Sequence, residues 1–170
     1  MTPAPRTLTA VVVATAVLAG TAWAGDESLT QWTGAKDSKM QAASERAQAT
    51  LPIFWRVFDK KSGDKGSYYM VKAPFRTAHG GEEHLWMVVL GRRGDQVRGL
   101  IANQPDDVPG LHEGDHVVVP TSKISDWSYD KNGREYGAFT MRVMVTRMSK
   151  AEVATYAADL SDNPLEPGDR

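Results

Sequence analysis

The sequence predicts an α+β domain: a Pro-kinked N-terminal helix packed on a coiled antiparallel sheet of about five or six strands, with a short C-terminal helix. Three observations predict it. Between Asp37 and Phe58 the apolar residues step by three or four. Beyond the Lys/Gly/Asp-rich stretch Lys60 to Gly66 the period changes to two. Near the end, Ser149-Lys150-Ala151-Glu152 has the pattern of a capping box, which opens a helix.

The first stripe is Met40, Ala43, Ala47, Leu51, Phe54 and Phe58, which share one helix face. Trp55 flanks it. Asp37 and Ser38 suit the N-cap, because their oxygens accept from unpaired first-turn N–H groups. Pro52 removes a donor inside the pattern. We expect it to kink or divide the helix into two pieces that share the buried face.

The strands follow in order. Tyr69, Val71, Ala73 and Phe75 alternate with Lys72 and Pro74. Thr77 to Glu82 loops around Gly80-Gly81, and His84 to Leu90 is apolar on both faces, which predicts a strand covered on both sides. Gly91-Arg92-Arg93-Gly94 is too short and charged to cradle phosphate and reads as a hairpin turn into Val97 to Asn103. A loop from Gln104 to Gly114 leads to a short Val-rich strand, His116 to Pro120.

Ile124 to Met148 reads as a long hairpin about Lys131-Asn132-Gly133. A three-residue loop sets Asp130 opposite Arg134 and Trp127 opposite Gly137, where the ring covers bare backbone. A two-residue Asn-Gly loop sets Asp130 against Glu135 and Lys131 against Arg134, and like charges disfavour it. In the preferred register Phe139, Met141, Val143 and Val145 line the buried face. The capping box then opens a helix through Leu160, and Asn163 to Arg170 reads as a loose tail.

The first residues bear on compartment. Thr2 to Ala24 carries one charge, Arg6, then an apolar run from Leu8 to Leu18 that closes on Ala22-Trp23-Ala24. That is the layout of a secretory signal peptide, and the run is shorter than the ~20 residues of a membrane-spanning helix. The expected organisation is a signal peptide over 1–24, a flexible lead-in over 25–36, one domain over 37–160 and a tail over 161–170. The expected location is the periplasm or the exterior.

The chain has no cysteine, so it has no disulfide, no thiol chemistry and no cysteine after the apolar run to acylate as in a lipoprotein. Removing Arg6 with the leader takes the formal net charge from −1 to −2. A near-neutral domain lacks the basic footprint of a nucleic-acid binder or of an anionic membrane surface.

A resemblance rests on an ordered set of segments. These are Tyr69-Met70-Val71-Lys72-Ala73-Pro74-Phe75, Glu83-His84-Leu85-Trp86, Gly99-Leu100-Ile101-Ala102-Asn103, Gly114-Asp115, Asp126-Trp127 and Gly137-Ala138-Phe139-Thr140-Met141-Arg142. Preceded by the helix around Ala43, Ala47 and Phe54, they resemble the YegJ-like family of bacterial domains of unknown function. The likeness covers about Asp37 to Met148. It implies a kind of fold, and a similarity to small domains proposed as immunity proteins against bacterial toxins. It implies no catalytic residues.

Candidate chemistry is sparse. His112 and His116 stand i, i+4, the spacing of zinc ligands on a helix, but Gly114-Asp115 splits them. His79 and His84 lie across a glycine loop with Glu82 and Glu83 between, and chance produces such spacing. Ser122, Ser125 and Ser128 lie near Asp126 without a glycine elbow. Asp106 and Asp107 read as loop-solvating carboxylates. Trp86, Trp127, Tyr129 and Tyr136 can form a ligand platform, but core packing is the stronger reading for Trp127. Asp126, Thr140 and Arg142 read as a polar recognition patch or a salt-bridged surface, the latter favoured.

The binding set is Asn103, Asp126, Thr140, Arg142 and His84, with no catalytic residue, metal ligand or cofactor assigned. The expected function is a non-enzymatic exported binding module acting through a polar face of its sheet on a protein or small ligand, immunity-like in one version. The alternative is a metal-dependent or acid/base hydrolase of the cell envelope using His84 and Asp126.

Overall fold

The computed structural model describes residues 37–61 and 68–168. The expected leader, the lead-in and most of the Lys60 to Gly66 stretch lie outside the described residues. The first helix, α1, spans Ser38–Lys61. Asp37 caps it, its Oδ1 accepting from the N–H groups of Lys39 and Met40 at 3.1 and 3.2 Å.

Pro52 does not divide α1, which runs through it as one helix. Pro52 lies on the exposed side, so the carbonyl it leaves unpaired can face water. An interior proline costs a helix about 3 kcal/mol. Leu51, Phe54 and Trp55 are buried around it. Each such side chain contributes about 1.5–3 kcal/mol, which holds both halves on the sheet.

The sheet is six-stranded, antiparallel and open, in the order β4-β3-β2-β1-β5-β6. Its strands are β1 (Tyr69–Arg76), β2 (Glu82–Arg93), β3 (Gln96–Ile101), β4 (His116–Pro120), β5 (Asp126–Lys131) and β6 (Arg134–Gly137). Along β2, buried residues alternate with half-buried ones, so its second face is only partly covered. α1 packs on the face that carries Val71, Ala73, Met87 and Trp127. Phe54 is fully buried at its centre, with its ring 5.7 Å from that of Trp127. The Trp127 Nε1–H donates to the Ala47 carbonyl at 2.9 Å, tying helix to sheet.

The β5–β6 hairpin corrects the expected register. Lys131 pairs with Arg134, Asp130 with Glu135, and Ser128 with Gly137. The loop is two residues, Asn132 and Gly133, both with positive φ (57° and 70°). That conformation matches the twist of paired strands. The facing like charges are relieved from the C-terminal segment: Lys131 pairs with Glu166, and Arg134 reaches Asp162 at 3.7 Å. Trp127 still covers Gly137, one residue away from its cross-strand partner. A Cβ on Gly137 would strike the Trp127 carbonyl oxygen and ring.

The second arm does not continue as a strand. Gly137 and Ala138 both have positive φ (75° and 52°) and turn the chain into α2 (Phe139–Val145). Phe139, Thr140 and Met144 are buried there, instead of an alternating strand face. The capping box forms as expected, Glu152 N–H donating to Ser149 Oγ at 3.3 Å and Ser149 N–H to Glu152 Oε2 at 2.7 Å, but the helix it opens, α3 (Lys150–Tyr156), stops short of Leu160, which bridges to Glu135 instead.

The segment read as loose is docked where it is described. Leu165 is buried, Gly137 N–H donates to the Pro164 carbonyl at 2.7 Å, and Tyr129 O–H donates to Glu166 at 2.8 Å. Leu165→Ala is expected to cost about 2–4 kcal/mol through lost burial and the cavity left behind. Chemical denaturation of wild type and variant reads this; an unchanged midpoint would mean the segment contributes no packing.

Candidate functional site

The predicted site residues do not form one patch. Asp126 and Thr140 do meet, but inside the protein: Asp126 is fully buried and Thr140 is 3% exposed. Asp126 Oδ2 accepts from the Thr140 N–H at 2.7 Å and its hydroxyl at 2.6 Å. Oδ1 accepts from Trp127 N–H at 2.8 Å and Phe139 N–H at 3.1 Å. The carboxylate thus serves the otherwise unpaired first turn of α2 from a neighbouring strand. Burial pushes the carboxyl above the usual aspartate value, while the bonds from Thr140 and Trp127 and the charge of Lys72 oppose that rise.

Arg142 is a staple rather than a recognition group. Its Nε donates to the Gly137 carbonyl at 2.8 Å, and Nη1 to the Ser161 carbonyl at 2.7 Å. Asn103 closes the end of the β2–β3 ladder, its Oδ1 accepting from Trp86 N–H at 3.0 Å. Of the five, only Thr140 and His84 line an open cavity beside the N-terminal half of α1.

That cavity is about 550 Å³ and lies between the N-terminal half of α1 and the end of the sheet where β5 begins. α1 contributes Met40, Gln41, Ser44 and Gln48; β1 contributes Lys72 and Pro74. Ser122, Lys123 and Ser125 come from the bend that leads into β5. The bend is held in place: Ser125 N–H donates to the Lys72 carbonyl at 2.8 Å, and Gln48 Nε2 to the Ile124 carbonyl at 3.2 Å. Asp37, the one carboxylate in the lining, is paired with Arg147 at 2.5 Å.

Lys72 is the one buried charged residue in the cavity lining. It is 8% exposed. Its cross-strand neighbours are Asp126 on β5 and Trp86 on β2, and its Nζ sits 5.6 Å from the Trp86 ring centroid. Burial lowers its proton affinity, and Asp126 partly restores it. Sequence reasoning missed Lys72 because an alternating strand places it opposite Val71, where a lysine ordinarily meets water. The signal lies in its cross-strand neighbours, which only the fold supplies.

His84 stands beside it, its Nδ1 2.8 Å from Ser125 Oγ. Burial lowers its proton affinity first, then the Lys72 charge, with Glu82 opposing. The folded-state value therefore lies below the ordinary 6.5. Above pH 6.5 both folded and unfolded chains hold a neutral imidazole. As pH falls below 6.5 the unfolded chain takes the proton first, so stability falls. Wild type is expected to lose stability relative to His84→Gln between pH 7 and pH 5. Urea denaturation at each pH reads the difference; a constant difference would contradict the shift.

His84 and Asp126 share no hydrogen bond, since both Asp126 oxygens serve α2 and Trp127. The other three histidines lie elsewhere: His79 meets Asp107 at 2.8 Å and His112 meets Asp115 at 3.5 Å, both in exposed loops, and His116 is exposed at the start of β4. Among the described residues no group of three His, Cys, Asp or Glu side chains gathers as a metal ion needs.

The fold is a small α+β domain with an open cavity lined by both polar and apolar side chains. The chain belongs to the bacterial family described as "Uncharacterized protein conserved in bacteria (DUF2314)", whose model matches residues 37–161. It is 30% identical over 141 residues to "Uncharacterized protein YegJ" of Escherichia coli K12, covering 82% of this chain and 90% of that one. It is 31% identical over 138 residues to "Putative ankyrin repeat protein NMB1133/NMB1171" of Neisseria meningitidis serogroup B. That match covers 78% of this chain and 54% of the Neisseria protein, so the chain spans about half the length of that relative. No solved structure matches.

Proposed function

We propose that this chain is an exported, non-enzymatic binding module whose contact with its ligand is the cavity beside Lys72, rather than a polar face of the sheet. The observation that carries the reading is a cavity of ligand size, three of whose lining residues, Gln48, His84 and Ser125, are held by internal hydrogen bonds. Such a site binds without first ordering its own side chains. Export is supported by the leader pattern over residues 1–24. The immunity-like version, with a toxin as partner, rests on the family resemblance alone.

Native mass spectrometry on protein taken from periplasmic extract tests the reading. Wild type should carry a bound mass or partner, and Ser44→Trp, which places a ring in the cavity mouth, should not. Equal binding by both, or by neither, would count against it. The same spectrum reports whether the chain starts at Gly25.

One contact favours a second reading, a hydrolase. Ser125 Oγ lies against a ring nitrogen of His84 inside a cavity, as a nucleophile lies against its base. The Ser125 hydroxyl also lies 3.2 Å from the Lys72 carbonyl, and Asp126 does not orient the imidazole. A fluorophosphonate probe that labels wild type but not Ser125→Ala would establish this reading; absence of labelling is expected.

A further inference from the structure

We infer that the cavity takes a small organic anion, its carboxylate or phosphate group seated on Lys72; this rests on the binding-module reading above. Lys72 is more than nine-tenths buried and lines the cavity; its ammonium has the Trp86 ring 5.6 Å away and the Asp126 charge nearby, but no hydrogen-bond acceptor among the described residues. Every fully enclosed side-chain nitrogen or oxygen among those residues has a partner, so the Lys72 Nζ, which has no acceptor, keeps some access to solvent. Asp126 supplies a compensating field but no acceptor, because its oxygens already take four donors.

A nearly buried ammonium with unused donors is costly unless something accepts from it. The cavity is the direction from which an acceptor can arrive. Lys123 adds a second positive charge, and the hydroxyls of Ser122 and Thr140 add polar contacts. The lining's own carboxylate, Asp37, is neutralised by Arg147. At about 550 Å³ the space far exceeds one inorganic ion, and Met40 and Pro74 give it an apolar wall. The ligand chemistry that fits is an anionic head on a partly apolar body.

Isothermal titration with phenylacetate, phenyl phosphate and the neutral phenylacetamide tests this on the purified protein. At least one anion should bind about ten-fold or more tighter than the amide. The tighter of the two anions identifies the head group. Lys72→Met should abolish the preference, and Lys72→Arg should keep much of it. Lys123→Ala should weaken it only modestly, since Lys123 is exposed. The inference falls if the amide binds as tightly as the anions, if the preference survives Lys72→Met, or if none of the three binds. The wild-type comparison stands even if a variant misfolds. A Ser44-sensitive bound mass in native spectra, together with failure of this series, would overturn the anion class and leave the module reading in place.

Discussion

Gly137→Ala is expected to abolish stable folding. Gly137 has φ of 75°, where an L-residue's Cβ is strained by about 1–2 kcal/mol. The larger cost is collision. The added methyl would overlap the carbonyl oxygen and the Cε3 and Cζ3 atoms of Trp127. Trp127 cannot retreat, since it is fully buried, stacked on Tyr129 at 5.9 Å and bonded through Nε1 to the Ala47 carbonyl. Relief requires moving β6 away from β5, which breaks the Gly137 bond to Pro164 and the start of α2. A loss above about 4 kcal/mol is exceptional for one methyl, and it consumes most of the stability of a typical domain. Circular dichroism with a denaturation curve reads it. A cooperative transition within about 1 kcal/mol of wild type would refute the packing described.

Asp126→Ala is the second large effect. It strips acceptors from three backbone N–H groups and the Thr140 hydroxyl. It also leaves the Lys72 ammonium buried with no compensating charge. Orphaned donors cost about 1–3 kcal/mol each, and the loss of the nearest opposite charge to Lys72 adds to that. Asp126→Asn should cost less, since one amide oxygen still accepts while the NH₂ opposes donors on the other side. Adding Lys72→Met to Asp126→Ala should cost less than the sum of the two single changes, because the first leaves the second charge nothing to lose. Strict additivity would mean Asp126 and Lys72 do not sense each other.

The sequence discloses those parts of this fold that are local. Asp37 starts α1 by its own carboxylate, the period change at Tyr69 starts the sheet, and Ser149 with Glu152 caps α3. Even the cover of Trp127 over Gly137 was readable, because an aromatic ring and a bare backbone on adjacent strands are a local pairing. What stayed hidden depends on distant partners. Phe139, Met141, Val143 and Val145 alternate like a strand; they become helix because Asp126, on a neighbouring strand, serves the first N–H groups. The hairpin register depends on Glu166 and Asp162, which neutralise charges the hairpin alone leaves in conflict. Likewise Lys72 reads as a solvated lysine until Asp126, Trp86 and the bend at Ser122 to Ser125 close around it. The predicted polar patch failed for the same reason. Asp126 and Arg142 have the chemistry of recognition, but the fold spends both on its own backbone.

Lys72, nearly buried in the cavity lining beside Trp86 and Asp126 and without a hydrogen-bond acceptor, is the residue on which anion binding depends. Heteronuclear NMR of selectively labelled lysine side chains tests it most directly. On addition of phenylacetate or phenyl phosphate, the Lys72 ε-carbon and ζ-nitrogen resonances should shift with saturation while those of Lys39, exposed on α1, stay put. A Lys72 resonance unmoved by either anion, or moving only in step with Lys39, would contradict it.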